Sequence, residues 1–152
     1  MSDTEKFDAI IIGAGPAGSA CAYTLAKEGK EVLVIERADS PGAKNVTGGR
    51  LYTYALEMVE EGLTQEAALE RRVTHEQIML LDGDRSINID YHNPAFNEAG
   101  QVPHAYSILR ARFDEWFASK AEETGAMVAC GIKVDELLVK DGKIAGVIAG
   151  ED

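Results

Sequence analysis

The first hydrophobic run, Ala9-Ile10-Ile11-Ile12, is rich in β-branched residues and stops at glycine. It predicts a buried strand over Phe7 to Ile12. After Gly13-Ala14-Gly15-Pro16-Ala17-Gly18 the pattern turns helical as far as Glu28, with a small-residue face of Ala17, Ala20, Cys21, Ala22, Leu25 and Ala26, and Gly29 is placed to stop the helix. Val32-Leu33-Val34-Ile35 then predicts a second buried strand over Glu31 to Glu36. Strand, helix and strand within about 30 residues form a βαβ unit, whose strands should be parallel and whose crossover should be right-handed.

The pattern weakens after that. Arg37 to Arg50 reads as loop, with Ser40-Pro41-Gly42 and Thr47-Gly48-Gly49 as breakers. Leu51 to Glu61 predicts a short helix and Thr64 to Arg71 a second. Glu76 to Leu81 and Ser86 to Tyr91 alternate as paired strands around Asp82-Gly83-Asp84, while His92 to Pro103 is irregular. A second strand, helix and strand follow: Ala105 to Leu109, the amphipathic Ala111 to Thr124 with Phe113, Trp116, Phe117 and Ala121 on one face, and Met127 to Cys130. Lys133 to Lys140 and Lys143 to Ala149 alternate around Asp141-Gly142, a hairpin turn. The fold class is therefore α/β: a Rossmann-type three-layer arrangement with a parallel sheet and antiparallel hairpin insertions.

Length and charge narrow the partners. The 152 residues suit one domain, and the net charge of −11 disfavours nucleic acid or an anionic membrane surface as main partner. Two cysteines, Cys21 and Cys130, stand 109 positions apart, which excludes a disulfide framework or an iron–sulfur cradle within the chain. Both are expected as small core residues. His75, His92 and His104 share no ligand spacing, so no metal is expected. The N-terminus lacks the basic start and apolar run of a signal peptide, no stretch is apolar enough to span a bilayer, and the expected compartment is the cytoplasm.

The chemistry lies in the glycines. A bare G-x-G-x-x-G is a weak signal, with about 0.14 chance matches in a chain of this glycine content. Here Gly13, Gly15 and Gly18 sit between an apolar strand and a helix, and an acid, Glu36, ends the next strand 18 residues after Gly18. That is the full dinucleotide-binding fingerprint. Gly13 would permit the tight turn where a Cβ would clash, Gly15 the approach of a pyrophosphate, and Gly18 close helix packing. Ala14, Pro16 and Ala17 complete the phosphate turn, with Pro16 in the first helical turn where its missing N–H costs nothing. Glu36 would accept hydrogen bonds from an adenosine ribose and repel a 2′-phosphate, which disfavours NADP. Arg37 would lie over the adenine or face solvent. Glycine spacing alone does not separate NAD from FAD. A basic, glycine-rich loop follows where a helix and third strand usually continue an NAD-binding half. Its Lys44, Asn45, Thr47, Gly48, Gly49 and Arg50 could wrap a long polyanionic cofactor. Arg110 is a cation at a helix start, where the dipole disfavours it, and a bound phosphate would explain it.

Three stretches carry a family resemblance: Phe7 to Gly18, Lys44-Asn45-Val46-Thr47-Gly48-Gly49-Arg50-Leu51-Tyr52, and Leu109-Arg110-Ala111-Arg112-Phe113-Asp114. The chain resembles the N-terminal third of the FixC-like electron transfer flavoprotein–quinone oxidoreductases. These are FAD enzymes grouped with geranylgeranyl reductases and p-hydroxybenzoate hydroxylase-like enzymes. The first stretch is shared by many flavoproteins, and the second is the one that points to this family. The resemblance implies FAD as cofactor, held at Gly13 to Gly18 by its pyrophosphate and at Glu36 by its ribose. It also implies that Lys44 to Arg50 pass near flavin and pyrophosphate, that Arg110 touches the cofactor, and that Val134 offers backbone to adenine. The implied partners are an electron transfer flavoprotein, a ferredoxin-like iron–sulfur protein and a quinone acceptor.

Residues 1–152 would then be the N-terminal portion of an FAD-binding domain in a longer oxidoreductase, inactive alone and with no assignable catalytic residue. Any membrane contact would be peripheral, at the inner face, and made by the portion beyond Asp152. Without that portion, one edge of the Phe7–Ile12 strand should be open. Two rival readings keep the fingerprint: a geranylgeranyl reductase-like or aromatic hydroxylase-like flavoenzyme, and a nucleotide-binding module without turnover.

Overall fold

The computed structural model describes residues 5–94 and 102–151. The elements run β1 (Ala9–Ile12), α1 (Pro16–Lys27), β2 (Val32–Ile35), β3 (Gly48–Tyr52), α2 (Thr53–Val59), α3 (Leu63–Glu66), β4 (Glu76–Asp82), β5 (Arg85–Tyr91), β6 (Ala105–Leu109), α4 (Arg110–Glu123), β7 (Met127–Ala129), β8 (Ile132–Lys140) and β9 (Lys143–Glu151). They divide into two compact units, residues 1–48 with 109–152, and residues 49–108.

The first unit is built on a parallel sheet of order β1-β2-β7. Ala9 pairs with Val32 and Ile12 with Ile35, so the predicted βαβ unit is present in register. On the other side of β2, Leu33 pairs with Met127 and Ile35 with Ala129. β1 is thus an edge strand among the described residues, and Ile12 is 57% exposed.

Helices α1 and α4 pack against each other. The buried face of α1 is Ser19, Ala22, Tyr23 and Ala26, spaced as one helical stripe. That stripe is turned away from Cys21, which is exposed; the expectation of a core cysteine there fails because Cys21 lies on the opposite side of the turn from Tyr23. From α4, Phe113, Phe117, Ala118 and Ala121 are buried, with the rings of Phe113 and Phe117 meeting edge-on at 5.8 Å and Trp116 half-buried beside them. Val32, Val34 and Ile35 complete this core. β8 and β9 form the predicted antiparallel hairpin, with register shifts after Val134 and after Leu138.

In the second unit β3 pairs with β6, and α2 packs on α3. Its core holds Thr53, Leu56, Leu63, Ala105 and Ile108, and the buried Thr53 hydroxyl donates to the Pro103 carbonyl at 2.6 Å. β4 and β5 form the second predicted hairpin, in even register from Glu76–Tyr91 to Asp82–Arg85.

Two expectations about the elements are corrected. Residues 48–52, expected as loop up to Arg50, form a strand: glycines suppress the sequence signal, and pairing with β6 supplies the backbone partners. The helix expected over Thr64 to Arg71 stops at Glu66, because the backbone of the following segment pairs with β6. The N–H groups of Glu70 and Val73 donate to Ser107 and Ala105, at 3.0 and 2.9 Å. The strands on either side of α4 belong to different sheets: β6 pairs with β3 while β7 joins β2. Part of the irregular His92–Pro103 stretch, residues 95–101, lies outside the described residues. No helix among the described residues is long and apolar enough to cross a membrane.

Candidate functional site

The glycine turn is held from three sides within the first unit. Gly13 has φ of +98°, and its N–H donates to the Ile35 carbonyl at 2.7 Å. A Cβ on Gly13 would meet nothing within 4 Å, so glycine is required there by the left-handed backbone and not by the clash expected from sequence. At Gly18 sterics do decide: a Cβ would stand 2.0 Å from the Gly13 carbonyl oxygen. The first turn of α1 can therefore lie directly on the turn that precedes it.

Gly15 is the N-cap of α1 and Pro16 its first residue, with no side chain capping the helix. The leading N–H groups of the helix thus lack a side-chain acceptor, and the positive end of the dipole stands beside them. A Cβ on Gly15 would find only Arg110 Nη2, at 3.8 Å. The space over Gly15 is open and one cation borders it, an arrangement suited to an anion.

Glu36 closes the other side. Its Oε2 accepts the Ala14 N–H at 2.9 Å and its Oε1 accepts the Ala38 N–H at 2.8 Å. Ala14 is fully buried, so this carboxylate is the partner of a backbone donor that water cannot reach. A carboxylate has about four lone-pair sites, and two remain free for a ligand. Beside it lies a cavity of about 250 Å³ lined by Gly13, Glu36, Arg37, Ile132, Lys133 and Val134, with Ile12 and Ile35 at its base. Drug-sized ligands fill roughly 300–1,000 Å³, so this cavity suits a fragment such as a nucleoside. Arg37 is exposed on the rim, and the nearby Lys133 pairs with Asp135 at 3.1 Å.

The loop after β2 reaches the site at one end. Asn45 Nδ2 donates to Asp114 Oδ2 at 3.0 Å. Lys44 and Thr47 are exposed, as is Gly48 at the start of β3. Gly49 and Arg50 belong to the second unit, where Arg50 Nη1 pairs with Glu76 Oε1 at 2.8 Å and its guanidinium lies 4.3 Å from the Tyr52 ring centre. Arg110 opens α4 and makes two bonds to Asp114, Nε to Oδ1 and Nη2 to Oδ2, both 2.8 Å. That partner holds the guanidinium pKa above its ordinary value, against a smaller opposing effect of burial. It also supplies a local reason for a cation at this helix start, so the position does not by itself require a phosphate.

Sequence reasoning missed Asp114, although its i,i+4 spacing from Arg110 was a readable signal. It also missed Ile132 and Lys133, which carry no distinguishing pattern. Cys130 lies half-buried near this side of the sheet. Burial raises its thiol pKa, and the charges of Glu36, Glu122 and Asp39 raise it further.

A parallel βαβ core with an uncapped helix start over a glycine turn, and an acid at the end of the second strand, defines a nucleotide-binding protein of Rossmann type. The chain belongs to the NAD(P)-binding Rossmann-like domain family, whose model matches residues 11–111. It is 50% identical over 146 residues to Protein FixC of Salmonella typhi, covering 96% of this chain and 34% of that protein. It is 47% identical to the probable electron transfer flavoprotein-quinone oxidoreductase YdiS of Escherichia coli K12, covering all of this chain and 35% of that protein. The chain therefore spans about a third of the curated relatives it matches. Among solved structures, a geranylgeranyl bacteriochlorophyll reductase-like protein from Thermoplasma acidophilum superposes with a TM-score of 0.77 at 25% identity, covering 97% of this chain and 36% of that one. The myxobacterial chondrochloren halogenase CndH, at 22% identity and a TM-score of 0.75, shares the fold.

Proposed function

We propose that this chain is the FAD-binding portion of an oxidoreductase that accepts electrons from an electron transfer flavoprotein and delivers them towards a quinone. The observation that carries the reading is the pairing of an open, uncapped helix start at Gly15 with the Glu36 carboxylate on the other side of Ala14. Similarity to YdiS, described as a probable electron transfer flavoprotein-quinone oxidoreductase, supports the pairing of an electron transfer flavoprotein with a quinone.

Each residue has a task that fits its surroundings. Gly15, Ala17 and Gly18 present backbone N–H groups to the pyrophosphate, while Gly13 and Ala14, whose N–H groups are taken by Ile35 and Glu36, and Pro16, which has none, shape the turn. Glu36 takes the ribose hydroxyls on its two free lone-pair sites. Arg37 and Val134 border the adenine cavity, Val134 offering backbone. Arg110 adds a positive charge beside Gly15. Lys44, Asn45, Thr47 and Gly48 follow the cofactor towards its flavin end. The flavin supplies the redox chemistry, and this chain's residues supply binding and electrostatics. A ferredoxin-like iron–sulfur partner and any peripheral membrane contact belong to the same reading of the whole protein.

The test is spectral. The full-length protein should be yellow, its flavin should bleach on addition of reduced electron transfer flavoprotein, and a soluble quinone should restore the colour. A colourless protein that binds adenosine nucleotides would support a module without turnover. The structural likeness to a geranylgeranyl reductase-like protein supports a second reading. Flavin reduced only by a nicotinamide donor, and reoxidised by a polyprenyl substrate and not by quinone, would favour it.

A further inference from the structure

We propose that Asp114 is a positioning residue for the phosphate site: its buried carboxylate fixes the Arg110 guanidinium so that the remaining N–H groups face a diphosphate lying over Gly15. This rests on the reading of the glycine turn given above. Asp114 is the one fully buried acid of the described core, with its side chain 1% exposed. It takes Arg110 Nε on one oxygen and Arg110 Nη2 on the other, a planar two-point bond that leaves the guanidinium no rotational freedom. A guanidinium carries five N–H donors, and three remain. The Nη2 that carries one of them stands 3.8 Å from the Cβ position of Gly15, and the Arg110 side chain keeps 33% of its surface open.

A second observation is the closure over Asp114. Asn45 Nδ2 bonds the same carboxylate oxygen as Nη2. Gly42, at φ +78°, lies so close to the start of α4 that a Cβ would stand 2.9 Å from Ala111 Cα, the Arg110 carbonyl oxygen and Asp114 Cβ. The loop is pressed onto the helix and water is kept from the carboxylate, which raises the cost of leaving it unpaired. Arg110 is therefore held in one rotamer before any ligand arrives. Preorganisation of this kind strengthens binding by removing side-chain ordering from the binding step.

Equilibrium dialysis of the full chain against ADP and against adenosine distinguishes positioning from mere structural support, because only ADP carries the diphosphate. Asp114→Asn should lower ADP affinity roughly tenfold and leave adenosine affinity unchanged. Arg110→Lys keeps the charge but cannot make the two-point bond, so it should lose nearly as much ADP affinity as Arg110→Gln. The double variant Asp114→Asn with Arg110→Gln should bind ADP no more weakly than Arg110→Gln alone. An unchanged ADP-to-adenosine ratio in Asp114→Asn, equal loss of both ligands, additive losses in the double variant, or full ADP affinity in Arg110→Lys would each overturn the proposal. Should Asp114→Asn fail to fold, Arg110→Lys decides, since its side chain is partly exposed. Wild-type chain that binds neither ligand would overturn the site itself, whereas wild type and variants binding ADP alike would overturn only the role of Asp114.

Discussion

Replacing Glu36 with alanine should destabilise the chain even without ligand. The carboxylate accepts two backbone N–H groups, from Ala14 and Ala38, and both residues are buried, at 0% and 4% exposure. Each charge-assisted bond contributes about 1.5–3 kcal/mol, and an orphaned buried donor costs about 1–3 kcal/mol. Glu36 is itself only half-buried, and water entering the vacated space recovers part of that loss. The expected cost is about 2–4 kcal/mol in total. Glu36→Gln keeps one acceptor but turns an NH₂ donor towards an N–H donor, and should cost about 1–3 kcal/mol. Urea unfolding at fixed m-value reads both, and ADP titration reads the accompanying weakening of the hydrogen bonds to ribose. A midpoint for Glu36→Ala equal to wild type would refute the idea that this acid holds the turn. Wild type that binds ADP and its 2′,3′-dideoxy analogue equally would refute its role towards the sugar.

Gly18→Ala puts a methyl 2.0 Å from the Gly13 carbonyl oxygen, so α1 must shift. We expect a loss of at least about 3 kcal/mol, read as a fall in Tm of roughly 6–12 °C; an unchanged Tm would contradict the packing described. Gly15→Val meets no atom of the chain closer than ordinary contact at its Cβ, so stability should fall by less than about 1 kcal/mol while ADP binding is abolished. An ADP affinity equal to wild type would remove Gly15 from the site. In the second unit the Glu57 carboxylate accepts the Gly62 and Thr64 N–H groups, at 2.8 and 3.1 Å. Its pKa is lowered by the Thr64 side chain first and then by the Gly62 N–H, with the Thr64 N–H adding least. A lowered folded-state pKa gives stability that is intact above the unfolded value of about 4.3 and fades as the pH falls through the lower folded value. The Gly62 and Thr64 amide resonances should therefore titrate below the ordinary carboxylate value, and a midpoint at or above it would contradict the capping.

The βαβ core was legible because its signals are local: Ala9–Ile12, Val32–Ile35 and the three glycines each report their own neighbourhood. The hairpins at Gly83 and Gly142 were legible for the same reason. What escaped depended on distant partners. Gly48–Tyr52 became a strand only because β6 lies beside it, and Glu70 and Arg71, expected at the end of a helix, bond Ser107 of that same strand. The fingerprint put Gly13 in a turn that needs glycine but gave the wrong physical cause, since an open Cβ position and a positive φ are invisible in sequence. Glu36 was singled out for a ligand, yet it also serves the chain itself by satisfying Ala14, a buried donor whose burial only the fold creates. Arg110 was puzzling as a cation at a helix start until Asp114, one turn later, explained it.

The central claim is that the glycine turn and the Glu36 cavity receive an adenosine diphosphate. Amide resonances followed during an ADP titration test it most directly. The account predicts saturable shifts concentrated at Gly13 to Gly18 (Pro16 excepted), Glu36, Arg37 and Val134, with Gly62 and Gly83 in the second unit still. Shifts absent from the glycine turn, or spread evenly over both units, would contradict it.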